Sequence, residues 1–168
     1  PYQSPLLSLS LHNTRTHHCG HQETQWGRVV YTDGSGVASD TPEHRRCGWS
    51  VVMLNEQGMP VRAMYGGLPS HVQTVGRAER HAGLRAVQGG GKVEVIVTDL
   101  LGFVNEAKRW SADLAAARGK HATIWRSMQE ECRRQQLAPP TVLWAPAHFA
   151  LQEALDRGVD PIHWIGSQ

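Results

Sequence analysis

The segment from Lys92 to Thr98 constrains the fold more than any other stretch of the chain. Val93, Val95, Ile96 and Val97 make it a short apolar run of strand length, closed before by Gly89-Gly90-Gly91 and after by Asp99. Such a run suits a buried central strand, the kind found in sheets whose faces are covered by other elements. The pattern on either side has a different period. From Thr74 to about Gln88, Ala78, Ala82, Leu84, Ala86 and Val87 fall at helical spacing, and the glycines stop the helix. Further helices are predicted over Leu101 to Trp110, over about His121 to Gln136 before Pro139-Pro140, and over Leu151 to Arg157.

Upstream, Val29, Val30 and Tyr31 mark a strand over Gly27 to Thr32, with Asp33-Gly34-Ser35-Gly36 read as the turn that ends it. Gly48 to Asn55 and Pro60 to Gly67 form two more strands, joined by a hairpin turn at Asn55-Glu56-Gln57-Gly58. Together the three suggest an antiparallel meander. Thr141 to Ala145 supplies a fifth strand. The order β-β-β-α-β-α-α-β-α describes an α/β architecture, a mixed sheet with helices packed on it. No internal repeat is present. Residues 1 to about 26 are rich in Ser, Thr, His, Gln and Asn, and read as a poorly ordered linker or N-terminal arm, leaving one domain over 27–168.

Several function classes are set aside by composition. Cys19, Cys47 and Cys132 are odd in number and far apart, with no CxxC pair, so reduced thiols of an intracellular protein, cytoplasmic or nuclear, are expected. His17-His18-Cys19-Gly20-His21 lacks the second ligand pair that a structural zinc site needs. No apolar run approaches the roughly 18 residues of a membrane span. No G-x-S-x-G elbow or Cys–His pairing points to a small-molecule hydrolase. The formal charge of +2 and sequence pI near 8.7 permit a nucleic-acid partner without requiring one.

Three acids carry the chemical signal. Asp33 follows the first strand, Glu79 lies early in the first long helix, and Asp99 ends the fourth strand. Singly, each is more often a turn, a cap or a helix-dipole partner. Jointly, they converge if the first and fourth strands pair in parallel, because ligands in open α/β sheets gather beyond strand ends and the crossover helix can aim Glu79 at the same point. Clustered carboxylates repel unless a cation neutralises them, and hard oxygen ligands suit Mg²⁺ or Mn²⁺. Two such ions about 4 Å apart activate a water and stabilise the leaving oxygen of a phosphodiester.

The residues around these acids resemble the ribonuclease H family. Tyr31-Thr32-Asp33-Gly34-Ser35 is similar to its first signature, Gln73-Thr74-Val75-Gly76-Arg77-Ala78-Glu79 to its Q-T-x-x-R-A-E segment, and Val97-Thr98-Asp99 to its T-D-S element, with Leu100 in place of the Ser. Trp144-Ala145-Pro146-Ala147-His148 resembles the late W-V-x-x-H element. The resemblance covers roughly residues 27–168 and is strongest toward the ribonuclease H domains of retroelement reverse transcriptases. It implies a mixed five-stranded sheet with helices on both faces, and hydrolysis of the RNA strand of RNA–DNA hybrids by a two-metal-ion mechanism. Asp33, Glu79 and Asp99 would be ligands to two Mg²⁺ (or Mn²⁺) ions, and His148 would be a loop proton shuttle. Ser35, Gly36, Gln73 and Thr74 become candidates for contacts to the hybrid, and an upstream reverse transcriptase domain becomes an expected neighbour. The family's fourth acid, an Asp in the last helix, has no match before Gln168, and neither Asp156 nor Asp160 has its context. This implies either a C-terminal helix cut short or a lost ligand. The alternative to an active nuclease is therefore a catalytically impaired module that binds nucleic acid or braces a polymerase. Arg109, Arg118, Lys120, Arg126, Arg133 and Arg134 give the second half a basic bias that is read mainly as a solvated face. Trp125 is read as core, and Trp110 as a possible stacking platform.

Overall fold

A computed structural model describes residues 15–17, 25–37, 39, 41, 44–110, 119–147 and 151–166. The elements are β1 (Arg15–His17), β2 (Val29–Val37), β3 (Arg46–Leu54), β4 (Pro60–Gly67), α1 (Val75–Gln88), β5 (Val95–Thr98), α2 (Leu101–Trp110), α3 (Ala122–Gln135), β6 (Thr141–Trp144), α4 (Leu151–Asp156) and α5 (Pro161–Gly166). They build one mixed sheet in the order β1-β4-β3-β2-β5-β6. The meander β2-β3-β4 is antiparallel, while β2, β5 and β6 run parallel. The five expected strands are all present, and Arg15–His17 adds a sixth against β4.

β5 lies between two parallel partners, as its apolar run requires, with Ile96 fully buried on one face and Val97 buried on the other. Val30, Val51 and Ile96 pack beneath α1, α2 and α3, against Ala82, Phe103, Trp125 and Met128. The opposite face carries a smaller cluster of Tyr31, Val97 and Ala145, covered in part by Val159. There the Tyr31 hydroxyl and His163 Nδ1 of α5 share a hydrogen bond of 3.1 Å. Helices therefore cover both faces of the sheet.

Local chemistry sets the helix bounds. Thr74 caps α1, its hydroxyl accepting from the Arg77 N–H at 3.3 Å. Gly90 and Gly91 take φ of 79° and 91° just past its end, a region where a side chain would be strained. Of the segment 1 to 26, read as an arm, two described parts enter the fold. Arg15–His17 joins the sheet, and Trp26 is buried with the Arg62 guanidinium 4.0 Å above its ring.

One local expectation is corrected. Asp33-Gly34-Ser35-Gly36 is not a turn: β2 continues to Val37, with Asp33 opposite Ser50 and Gly36 opposite Cys47 on β3. The glycines serve close approach instead. A Cβ on Gly34 would lie 2.7 Å from the Glu79 backbone nitrogen and 3.0 Å from the Val75 carbonyl oxygen, so α1 rests directly on the β2 backbone. A six-residue helix, α5, is also added beyond the predicted elements. We expect Gly34→Ala to destabilise the fold by about 1–3 kcal/mol, the usual cost of forcing one extra carbon into a tight contact. Urea unfolding checks this, and an unchanged midpoint would refute the close approach of α1 to β2.

Candidate metal centre

Parallel pairing of β2 with β5 sets the site. Thr32 stands opposite Thr98, so the next residues, Asp33 and Asp99, come out side by side. α1 is the crossover between the meander and β5, and it presents Glu79 from above. Oxygens of Asp33, Glu79 and Asp99 all lie within 4.8 Å of one another. Their exposures differ: Asp33 is exposed, Asp99 half-buried, and Glu79 only 1% exposed.

Glu79 is held by two neutral donors. Its Oε1 accepts from the Gly34 N–H at 2.6 Å, and its Oε2 accepts from the Thr98 hydroxyl at 3.1 Å. This carboxyl is raised to about 8, first by burial and next by the charge of Asp99. The Gly34 N–H pulls it back, Asp33 raises it again, and the Thr98 hydroxyl lowers it. An acid so placed needs either a proton or a cation. Three carboxylates converging around a desolvated one form a hard-oxygen donor set that can hold a divalent metal.

The residues around the cluster are anchored in turn. The Leu100 N–H donates to Thr98 Oγ1 at 3.2 Å, and the Trp144 indole N–H donates to the Asp99 carbonyl at 2.9 Å. On the other flank of α1, Arg80 is buried and forms a two-pronged pair with Glu106 of α2 at 2.8 and 2.5 Å. Glu106 also accepts from Trp125 Nε1 at 2.8 Å.

The other candidates fall as follows. Ser35 and Gly36 are exposed on β2, beyond Asp33. Gln73 is half-buried and engaged with the backbone: its Oε1 accepts from the Cys47 N–H at 2.8 Å, and its amide donates to the Leu68 and Ser70 carbonyls. Thr74 is the helix cap. His148 and Arg118 lie outside the described residues, as does the His17-Cys19-His21 segment apart from the His17 backbone. Trp125 is core, 1% exposed. Arg134 pairs with Glu131, and Arg109, Lys120, Arg126 and Arg133 are exposed. Asp160 Oδ1 accepts from the Ile162 N–H and Asp156 Oδ1 from the Gln152 amide, and neither residue belongs to the three-acid cluster. Sequence reasoning missed the Arg80–Glu106 pair. Nothing local marks Arg80 as different from Arg77 and Arg85 of the same helix.

A mixed sheet whose first and fourth expected strands run parallel and bring together two acids, Asp33 within β2 and Asp99 just after β5, crossed by a helix that supplies a third, has the ribonuclease H-like fold. Solved structures share it. LC9-RNase H1, described as a type 1 RNase H with the type 2 active-site motif, superposes with a TM-score of 0.54 at 18% identity, over 77% of this chain and 68% of its own. The PFV RNase H domain gives 0.51 at 20% identity, over 85% and 95%. The native prototype foamy virus protease–reverse transcriptase gives 0.52 at 20% identity, over 88% of this chain but only 21% of that longer one. No protein-family model and no curated protein matches the sequence. The resemblance read from the motifs thus holds at the level of fold.

The state of Glu79 has a measurable consequence. Its proton is held more tightly in the folded chain than in the unfolded one. The stability this gives is complete below the ordinary carboxylate range and is lost as pH rises through about 8. In EDTA, the melting temperature should fall between about pH 5 and about pH 8.5 through this group. Glu79→Gln should remove most of that fall, and Mg²⁺ should restore stability to the wild type at the alkaline end. Calorimetric melts across pH check all three, and an equally steep slope in Glu79→Gln would show that another group is responsible.

Proposed function

We propose that this chain is a metal-dependent endonuclease that hydrolyses the RNA strand of RNA–DNA hybrids. The observation that carries the reading is the convergence of Asp33, Glu79 and Asp99 within 4.8 Å, with Glu79 buried among its neighbours' charges. The fold neighbours, whose names give them as RNase H domains, support the same direction. The donor set suits Mg²⁺, with Mn²⁺ as a substitute, and two ions are the expected complement. Asp33 and Asp99 would hold the ions, and Glu79 would hold the second ion and the attacking water. Bound there, the ions supply charge neutralisation at the phosphate and a more acidic water.

The chain's own groups do the rest. The Gly34 N–H and Thr98 hydroxyl orient Glu79. Exposed Ser35 and Gly36 let sugar and phosphate approach the cluster closely, and contacts to the 2′-hydroxyl distinguish RNA from DNA. His148 would move a proton at the water or the leaving oxygen. The water oxygen bonds to phosphorus as the bond to the 3′ oxygen breaks, leaving 5′-phosphate and 3′-hydroxyl ends. The setting we propose is intracellular, with residues 1–26 connecting to an upstream reverse transcriptase domain. No helix among the described residues is long and apolar enough to cross a membrane.

A second reading is a module that binds nucleic acid or braces a polymerase without turnover. It is favoured by the absence of Asp156 and Asp160 from the cluster, which leaves three carboxylates there among the described residues. One experiment separates the two. On a labelled RNA–DNA hybrid with Mg²⁺, the wild type should cleave the RNA strand and Asp33→Asn should not, with circular dichroism unchanged. Mg²⁺-dependent cleavage retained by Asp33→Asn would sink the nuclease assignment, and hybrid binding without cleavage by the wild type would support the second reading.

A further inference from the structure

We propose that Thr98 and Trp144 are positioning residues for the carboxylate cluster, acting as a clamp on the single peptide unit between Asp99 and Leu100. The inference rests on the metal-dependent reading above and adds to it the groups that keep the ligands aimed. The Asp99 carbonyl and the Leu100 N–H are the two polar ends of one rigid plane. The Leu100 N–H donates to Thr98 Oγ1 at 3.2 Å, and the Asp99 carbonyl accepts from Trp144 Nε1 at 2.9 Å. A plane held at both ends cannot flip, so the backbone turn that directs the Asp99 side chain toward Asp33 and Glu79 is fixed. Without the clamp, this turn would be a short link between the end of β5 and the start of α2, free to choose among several backbone states.

The same Thr98 oxygen spends its one proton on Glu79 Oε2 at 3.1 Å. A single hydroxyl therefore touches one ligand through its carboxylate and brackets another through its backbone. Its own place is fixed by the sheet: Thr98 is 1% exposed, pairs with Thr32 and Trp144, and its carbonyl accepts from the Ala145 N–H at 3.0 Å. Trp144 is different in kind. At 39% exposed on the edge strand β6, it belongs to neither of the two buried hydrophobic clusters. What it offers that phenylalanine would not is the N–H aimed at the Asp99 carbonyl.

The test measures metal binding directly. Mn²⁺ is titrated calorimetrically into the full chain as wild type, Thr98→Val, Thr98→Ser, Trp144→Phe and Asp33→Asn, with melting in EDTA recorded for each. Groups that orient metal ligands are commonly worth about 10–100-fold in metal affinity. Thr98→Val should weaken Mn²⁺ binding by about tenfold or more, and Thr98→Ser, which keeps the hydroxyl, should stay within about threefold of wild type. Trp144→Phe should weaken it by about three- to tenfold with little change in melting temperature, since it leaves the core intact. It also decides the matter on its own should Thr98→Val fail to fold. Wild-type affinity in both Thr98→Val and Trp144→Phe, alongside loss in Asp33→Asn, would overturn the clamp and leave the metal reading standing. Failure of Thr98→Ser to recover affinity would likewise overturn it, because the hydroxyl would then not be the cause. If the wild type binds no Mn²⁺, both the clamp and the metal reading fall.

Discussion

The Glu79 carboxylate sits beneath α1 where β2 and β5 meet, with one oxygen on the Gly34 N–H and the other on the Thr98 hydroxyl. Taking a charged carboxylate out of water costs several kcal/mol unless partners replace what is lost. Hydrogen bonds to a charged group return about 1.5–3 kcal/mol each, which offsets part of that cost and leaves the group held between proton and cation. Much of the local structure follows from this placement. For the carboxylate to reach the β2 backbone, α1 must lie closer to the strand than a side chain on Gly34 would allow. For it to reach Thr98, β5 must pair with β2 in the register that puts Thr32 opposite Thr98, and that register brings Asp33 beside Asp99.

α1 is fixed from its other flank as well. Arg80, the residue after Glu79, uses both of its outer nitrogens: one on the Gly76 carbonyl of its own helix and one, with Nε, on Glu106 of α2. Glu106 in turn holds the indole of Trp125 from α3. A buried pair of this kind is weak evidence for added stability, but breaking it by removing one partner typically costs about 3–5 kcal/mol. Its geometric effect is clearer. α1 carries Glu79, and α2 begins two residues after Asp99, so tying the two helices together ties the helix that bears one acid to the helix that follows another. Adjacent residues, about 100° apart around one helix, thus reach different neighbours, one in the site and one in the brace that holds it.

What was legible in the sequence follows from how far each signal reaches. Lys92 to Thr98 declared itself because a strand flanked by two parallel neighbours is apolar on both faces. α1 was legible because its period, its Thr74 cap and its glycine stop agreed. The acids were legible through the motifs around them and through the placement of Asp33 and Asp99 directly after the apolar cores of two strands. The course of β2 beyond Asp33 was not, because Gly34 and Gly36 look like turn residues unless it is known that a helix lies on them. β1 escaped notice because three residues carry no period of their own and gain a partner only from β4. α5 has six residues, too few to show helical spacing, and its anchor is the long-range contact of His163 with Tyr31. Arg80 gave no local hint that it is buried, since its partner lies on α2, 26 positions along the chain.

Gln73, a proposed contact to nucleic acid, braces the fold, and that bracing limits what its side chain has left to offer. Its amide nitrogen has two protons, and both are given to carbonyls, those of Leu68 and Ser70. Its oxygen accepts from the Cys47 N–H, on the strand that flanks Asp33's own. The first two bonds close the loop before α1 on itself, and the third ties it to β3, so together they help set where the helix starts. Under the proposed function, what remains for nucleic acid is a single acceptor lone pair. That rules out a bond to a phosphate oxygen, which needs a donor, and leaves donors on the substrate, such as a 2′-hydroxyl or a base amino group. A contact of that sort would favour RNA over DNA or one base over another. Phosphate binding near the cluster would then fall to the metal ions and to donors other than Gln73.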